Sequence, residues 1–295
     1  MAGGAPMLNL AFHPVQMKAL SKAISDQCNA ANKAAEESLR HFDPEAIHRL
    51  RVSLKQLRAS FNLLLFAAGQ IIAERDWKGA GKIFRQAGKI RERQLLRQRV
   101  LILSGVEEDS KKTVSAFLAF KEQAARRKFR HYLSDCGTKE LKKLRRKMLR
   151  AAGKISGSDL DSYLNDLLKR IGDLRGKANL SEEELHALRK LLKELKYNRA
   201  VLEAALQRTV DGIFESDKLN AWEELIGKWH DEVIYRQRSE KLLKQMRAEG
   251  SVREVIAEME SFSSRNSGQL LREITEQFPA GTDGSAQGVT NVQAV

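Results

Sequence analysis

Residues 43–58 read DPEAIHRLRVSLKQLR and residues 181–196 read SEEELHALRKLLKELK. In the first stretch Ile47, Leu50, Leu54 and Leu57 recur at three- and four-residue steps, which gathers apolar side chains on one face of an α-helix. The second stretch repeats that face with Leu185, Leu188, Leu192 and Leu195, 138 residues later. Both open on helix-start chemistry. Asp43-Pro44-Glu45 offers a capping carboxylate, a first-turn proline and an acid, and Ser181 with Glu184 has capping-box spacing.

The polar residues recur with the leucines. His48, Arg51, Lys55 and Arg58 follow the pattern H-x-x-R-x-x-x-K-x-x-R, and His186, Arg189, Lys193 and Lys196 occupy the same offsets. At about 100° per residue these offsets fall on one narrow stripe beside the leucine face. Such a helix packs its leucines into a bundle and holds its basic groups along the edge of a groove. Like charges at these spacings repel unless an anion lies across them. A single basic stripe is commonly no more than a solvated face, but a solvated face gives no physical reason to repeat His, Arg and Lys at identical offsets.

A second pair of segments agrees at an offset of 139. Gly88-Lys89-Ile90-Arg91-Glu92 corresponds to Gly227-Lys228-Trp229-His230-Asp231, and Arg97-Gln98-Arg99 to Arg236-Gln237-Arg238. Two matches at nearly one offset point to a duplicated helical unit. The Gly-Lys pairs are not phosphate-binding loops. Ile83 stands where the earlier glycine of that motif is required, and Ile90 where Ser or Thr is required. These glycines are expected to allow close helix packing, and Glu92 and Asp231 to hold the adjacent Arg91 and His230 by ion pairing.

Helical periodicity is nearly continuous and predicts helices over 15–40, 44–68, 70–103, 109–134, 137–152, 157–177, 181–209, 215–249 and 252–276, with no strand. The first repeat with a bridging basic helix is expected over 1–152 and the second over 153–278. Residues 279–295, rich in Gly, Ser, Thr and Gln, read as a disordered tail.

Charge is uneven along the chain. The whole carries +14, yet residues 1–150 hold 31 basic against 14 acidic side chains, whereas 151–295 hold 21 against 24. A polyanion is the implied partner, attracted mainly by the first half. Cation clusters at Arg126, Arg127, Lys128 and Arg130, and at Lys142, Arg145, Arg146 and Arg150, extend the basic surface.

No apolar run approaches the roughly 18 residues of a membrane span. Residues 1–10 lack a secretory signal, so a cytoplasmic location is expected. The six histidines and two cysteines form no metal-binding or nucleophile pattern. Neither a metal, a cofactor nor an enzymatic activity is expected.

The doubled His-x-x-Arg-x-x-x-Lys-x-x-Arg/Lys stripes, each followed by Gly-Lys-x-Arg/His-Glu/Asp, resemble the CHAD family, the conserved histidine α-helical domain, over approximately residues 12 to 276. The resemblance implies an all-α fold of two pseudo-twofold-related four-helix bundles, with a central basic groove or pore that binds inorganic polyphosphate. It also implies an anion-facing set of His48, Arg51, Lys55, Arg58, Arg91, His186, Arg189, Lys193, Lys196 and His230, to which Lys89 and Lys228 of the Gly-Lys segments are added. Glu92 stands where the family usually has Asp, and Lys196 where it has Arg, which keeps the charge but loses the forked geometry.

Many CHAD domains accompany a triphosphate-processing CYTH domain marked by Glu-x-Glu-x-Lys. Neither Glu182-x-Glu184 nor Glu258-x-Glu260 continues that way, so a stand-alone binding module is expected. Partners of this reading are polyphosphate, polyphosphate granules or a polyphosphate-metabolising enzyme. A non-specific RNA-binding protein and a basic scaffold for an acidic partner are the alternatives.

Overall fold

The computed structural model describes residues 14–177, 179–210 and 216–277; the tail expected at 279–295 lies outside them. Among the described residues the chain forms nine α-helices and no strand: α1 (Pro14–His41), α2 (Pro44–Ala67), α3 (Lys78–Leu101), α4 (Glu108–Tyr132), α5 (Thr138–Ala152), α6 (Gly157–Arg175), α7 (Glu182–Leu206), α8 (Ser216–Met246) and α9 (Gly250–Gln277).

The two diagnostic helices begin where their caps place them. Asp43 accepts a hydrogen bond from the Ala46 amide at 2.7 Å, which fills one of the unpaired donors of the first turn of α2. At α7 the box is reciprocal: the Ser181 amide donates to Glu184 at 2.9 Å and the Glu184 amide to Ser181 Oγ at 3.2 Å. The Lys177 ammonium first, and then those bonds, hold the Glu184 carboxyl down at about 2. Ile47, Leu50, Leu54 and Leu57, and likewise Leu185, Leu188, Leu192 and Leu195, are buried. Burying side chains of this size stabilises by about 1.5–3 kcal/mol each, before the entropy of ordering them.

Two helix boundaries depart from the periodicity. The helix expected over 70–103 begins only at Lys78. Its first residues form a turn and a 3-10 segment, Glu74–Trp77, in which the Ala73 amide donates to Asp76 at 3.0 Å. The chain leaves α2 at Ala68, whose φ of −139° lies outside the helical range, and the next position, with the Leu65 carbonyl 2.9 Å from where a Cβ would stand, is one that Gly69 fills without a clash. Conversely, the break expected near 135 is absent. A π-helical segment, Leu133–Gly137, carries α4 directly into α5, and the Leu133 side chain occupies the space beside Gly137 that a Cβ would need.

The chain folds into two compact units. One comprises Met1–Arg91, Ala125–Asn165 and Tyr197–Ile213, the other Glu92–Ala124, Asp166–Lys196 and Phe214–Val295. They differ from the consecutive blocks 1–152 and 153–278, because α3, α4, α6 and α7 each contribute one end to each unit. The basic helix α5, expected to bridge the halves, lies wholly in the first unit, packed on α1 and α2.

The first unit buries a polar knot among its apolar residues. Ser60 donates to Asn198 at 3.2 Å, and Asn198 donates to the Ala59 carbonyl at 2.9 Å and to the Tyr163 hydroxyl at 2.8 Å. Ser60 and Asn198 are equivalents at offset 138, and equivalents that touch each other are what a twofold relation between repeats produces. The second unit builds its core from Leu96, Val100, Leu103, Val114, Leu118, Leu242, Val255, Ile256 and Met259. A nearly buried ion pair, Arg99 to Glu232 at 2.6 Å, crosses from α3 to α8. Removing one partner of such a pair costs on the order of 3–5 kcal/mol, since it strands the other.

Candidate functional site

In the first unit the leucines of α2 face inward and leave the basic stripe at the margin, where His48 is exposed and Arg51, Lys55 and Arg58 are half-buried. Arg51 leans on α3. Its Nη1 donates to the Phe84 carbonyl at 3.3 Å, and its guanidinium lies 4.5 Å from the Phe84 ring centroid. Gly88 makes this possible, because a Cβ there would stand 2.6 Å from Arg51 Nη1. The Gly-Lys segment is thus a packing device beneath the stripe, as its sequence suggested. Lys89 projects outward and is exposed, while Arg91, half-buried on α3, reaches the Pro44 carbonyl at 3.5 Å. Partial desolvation and the Arg91 charge hold the His48 pKa below its ordinary 6.5, so the imidazole is neutral at neutral pH.

Arg58, at the far end, is held within the protein. It makes a forked ion pair with Glu74, at 2.6 and 3.0 Å, and lies over Phe61 and Trp77 at 5.1 and 5.2 Å. Any anion reaching Arg58 must displace that carboxylate.

The second unit repeats the plan with different chemistry. His186 Nδ1 and His230 Nδ1 lie 3.3 Å apart, with ring centroids 4.6 Å apart, where the first repeat has His48 and Arg91. Burial, then Lys190 and Arg189, lower the His186 pKa. Arg189 is half-buried beside Gly227, its Nε 4.0 Å from the place of a Cβ, and that Nε is buried with no hydrogen-bond partner. A buried guanidinium donor left unpaired is costly, and an anion relieves the cost. Lys193 and Lys196 share Glu223, at 2.8 and 2.9 Å. Burial opposes ionisation of Glu223, but the two lysine hydrogen bonds outweigh it and hold the carboxyl below its usual range. Lys228 is exposed and pairs with Glu224 at 2.8 Å.

The remaining predicted residues divide. Arg126 and Arg130 lie against Phe42, at 5.8 and 4.9 Å, and Arg127 is exposed, all at the C-terminal end of α4. On α5, Lys142 and Arg146 are exposed, but Arg145 turns inward and donates to Ser25 of α1 at 2.9 Å, a structural role. Burial pushes the Cys28 thiol near Arg145 up to about 12, so it carries no thiolate chemistry.

The expected pairing of Glu92 with Arg91 is replaced. Glu92 binds Arg238 at 2.8 Å and lies 3.7 Å from Arg93, while Asp231 is exposed. Arg91 instead reaches back to the Pro44 carbonyl, and the Glu92 carboxylate is drawn to Arg238 of α8. Sequence reading also missed Glu74 and Glu223, the acids that close the far ends of the stripes. Glu223 had one legible signal, its place one turn before Gly227 on the face that meets α7.

An all-helical chain with a duplicated His/Arg/Lys stripe packed over a glycine-bearing helix defines the class. A CHAD-domain family model matches residues 22–240, and the chain belongs to the CHAD family. The crystal structure of the CHAD domain from the plant Ricinus communis superposes with a TM-score of 0.72 at 17% identity, covering 94% of this chain and 97% of that one. PptA from Streptomyces chartreusis superposes with a TM-score of 0.61 at 15% identity, covering 88% and 98%. No curated protein matches the chain in sequence. Among the described residues no helix is long and apolar enough to cross a membrane, and no cluster of three metal-ligating side chains occurs.

Proposed function

We propose that this protein binds inorganic polyphosphate along the His48 and His186 stripes and does not transform it. The observation that carries this reading is the unpaired Arg189 Nε within a stripe whose other cations line the same helix edge. Arginine supplies forked contacts to phosphate oxygens and lysine supplies point charges. Family membership agrees, since polyphosphate is the ligand that the CHAD resemblance implies. Binding of this kind would hold the protein on polyphosphate granules or beside a polyphosphate-metabolising enzyme.

RNA is disfavoured by the state of the nearby aromatic rings. Single-stranded nucleic acid gains about 1–3 kcal/mol per base by stacking on open rings. Here Arg51 covers Phe84, Arg58 lies over Trp77, and Arg175 lies over Trp222 at 4.2 Å, while Phe61 and Trp229 are buried. The rings near the stripes are arginine supports. Labelled polyphosphate bound at near-physiological salt should therefore be displaced by unlabelled polyphosphate far better than by single-stranded RNA of equal phosphate number. Equal or better displacement by RNA refutes the assignment and favours the nucleic-acid alternative.

A further inference from the structure

Beyond Gly88, α3 runs on into the second unit, in which α8 lies whole, and there the repeat is broken. At offset 139, Arg99 corresponds to Arg238 and Arg93 to Glu232. Arg99 is fully provided for: Glu232 binds it at 2.6 Å, and Tyr235 and Phe262 flank its guanidinium at 4.3 and 4.9 Å. Arg238 has an arginine at the position equivalent to Glu232. It binds Glu92 at 2.8 Å instead, but that carboxylate also lies 3.7 Å from Arg93, and Arg238 Nε is buried with no hydrogen-bond partner.

A cavity of about 110 Å³ opens at this place. Its charged lining is Arg93, Lys121, Arg238 and Lys241 against the single carboxylate of Glu92. Leu96, Leu118 and Leu242 form an apolar floor, and the Lys121 ammonium stands 5.1 Å from the Phe117 ring centroid at the side.

We infer that this cavity is a binding site for one compact phosphoryl group, sharing no lining residue with either basic stripe. Four cations around one carboxylate in a partly desolvated space repel each other, and their repulsion grows as the local dielectric falls. An oxyanion supplies the negative charge that Glu232 supplies to Arg99, and it gives Arg238 Nε its missing acceptor. The two guanidinium forks suit phosphate oxygens in a way that chloride cannot match. The volume takes a terminal phosphate and little more, which excludes a passing polymer. The group is either free orthophosphate or the phosphate of a monoester whose organic body rests against Phe117.

The test is calorimetry on the full chain in chloride buffer with orthophosphate and, separately, adenosine monophosphate. Saturable binding is expected, weakened about tenfold or more in Lys241→Ala and Arg93→Glu and unchanged in Lys112→Ala, an exposed lysine outside the cavity and both stripes. Lys241 is exposed, so its variant keeps the fold; Arg93→Glu restores the acid found in the other repeat and should raise Tm in phosphate-free buffer. Tighter binding of the nucleotide identifies a monoester, and equal binding identifies orthophosphate. The inference fails if the wild type binds neither, if both cavity variants bind as the wild type does, or if Lys112→Ala loses binding as they do.

Discussion

His48 and His186 illustrate how a single residue links ligand and fold. Each is pushed below its ordinary pKa by burial and by cations, Arg91, Lys55 and Arg51 beside His48 and Lys190 and Arg189 beside His186; only Glu45 near His48 opposes this. The unfolded chain takes up these protons near pH 6.5, the folded chain only at lower pH. Without ligand, their contribution to stability is complete above that value and is lost as pH falls through the folded values. A polyanion reverses the preference, because it favours the imidazolium. Polyphosphate affinity is therefore expected to rise between pH 8 and 6, while the Tm of the free protein falls as pH drops below about 6.5. Titration of both quantities in the double variant His48→Gln, His186→Gln checks the assignment: both trends should flatten, and trends of wild-type size would assign them to other groups.

At the scale of the helix, Gly88 and Gly227 occupy equivalent positions but differ in what surrounds them. An added methyl at Gly88 meets Arg51 Nη1 at 2.6 Å, whereas at Gly227 the nearest atoms are 3.9 and 4.0 Å away, an ordinary contact. Alanine within a helix is favoured over glycine by roughly 0.5–1 kcal/mol. Gly227→Ala should thus raise Tm and leave polyphosphate affinity intact. Gly88→Ala should displace the Arg51 guanidinium from Phe84 and weaken binding even where Tm holds. Parallel melting and binding curves decide; equal binding by the two variants would mean that the Arg51 pose has no part in the site.

The same helices show what a sequence displays of its fold. Caps, leucine faces and basic stripes are local patterns, so the starts of α2 and α7 and the alignment of His48 with Arg51 were legible. Contacts supplied from far along the chain were not. Glu74 reaches Arg58 from a turn that periodicity ran through as helix, and Glu223 reaches Lys193 and Lys196 from α8. Arg145 shares its face with the other α5 cations, yet its head is drawn to Ser25. Only Glu223 carries a nearby sign, the glycine one turn on at Gly227; nothing within four residues of Glu74 or Arg145 announces the partner.

Across the whole molecule, neither compact unit is encoded by one continuous stretch. Each takes segments from both repeats, and the linker between α5 and α6, residues 153–156, lies inside the first unit's share of the chain. A cut there leaves an N-terminal piece lacking 154–165 and 197–213 of the first unit and a C-terminal piece lacking 92–124 of the second. Both pieces then carry apolar faces with no complement, and neither should melt cooperatively alone. Mixed together, they should recover a cooperative transition and polyphosphate binding, measurable by circular dichroism and displacement; a piece that folds by itself would show that the units are less interdependent than their chain segments imply. With recovery on mixing, the protein would be a natural split reporter, whose signal is the reunion of two halves that are each unreadable apart.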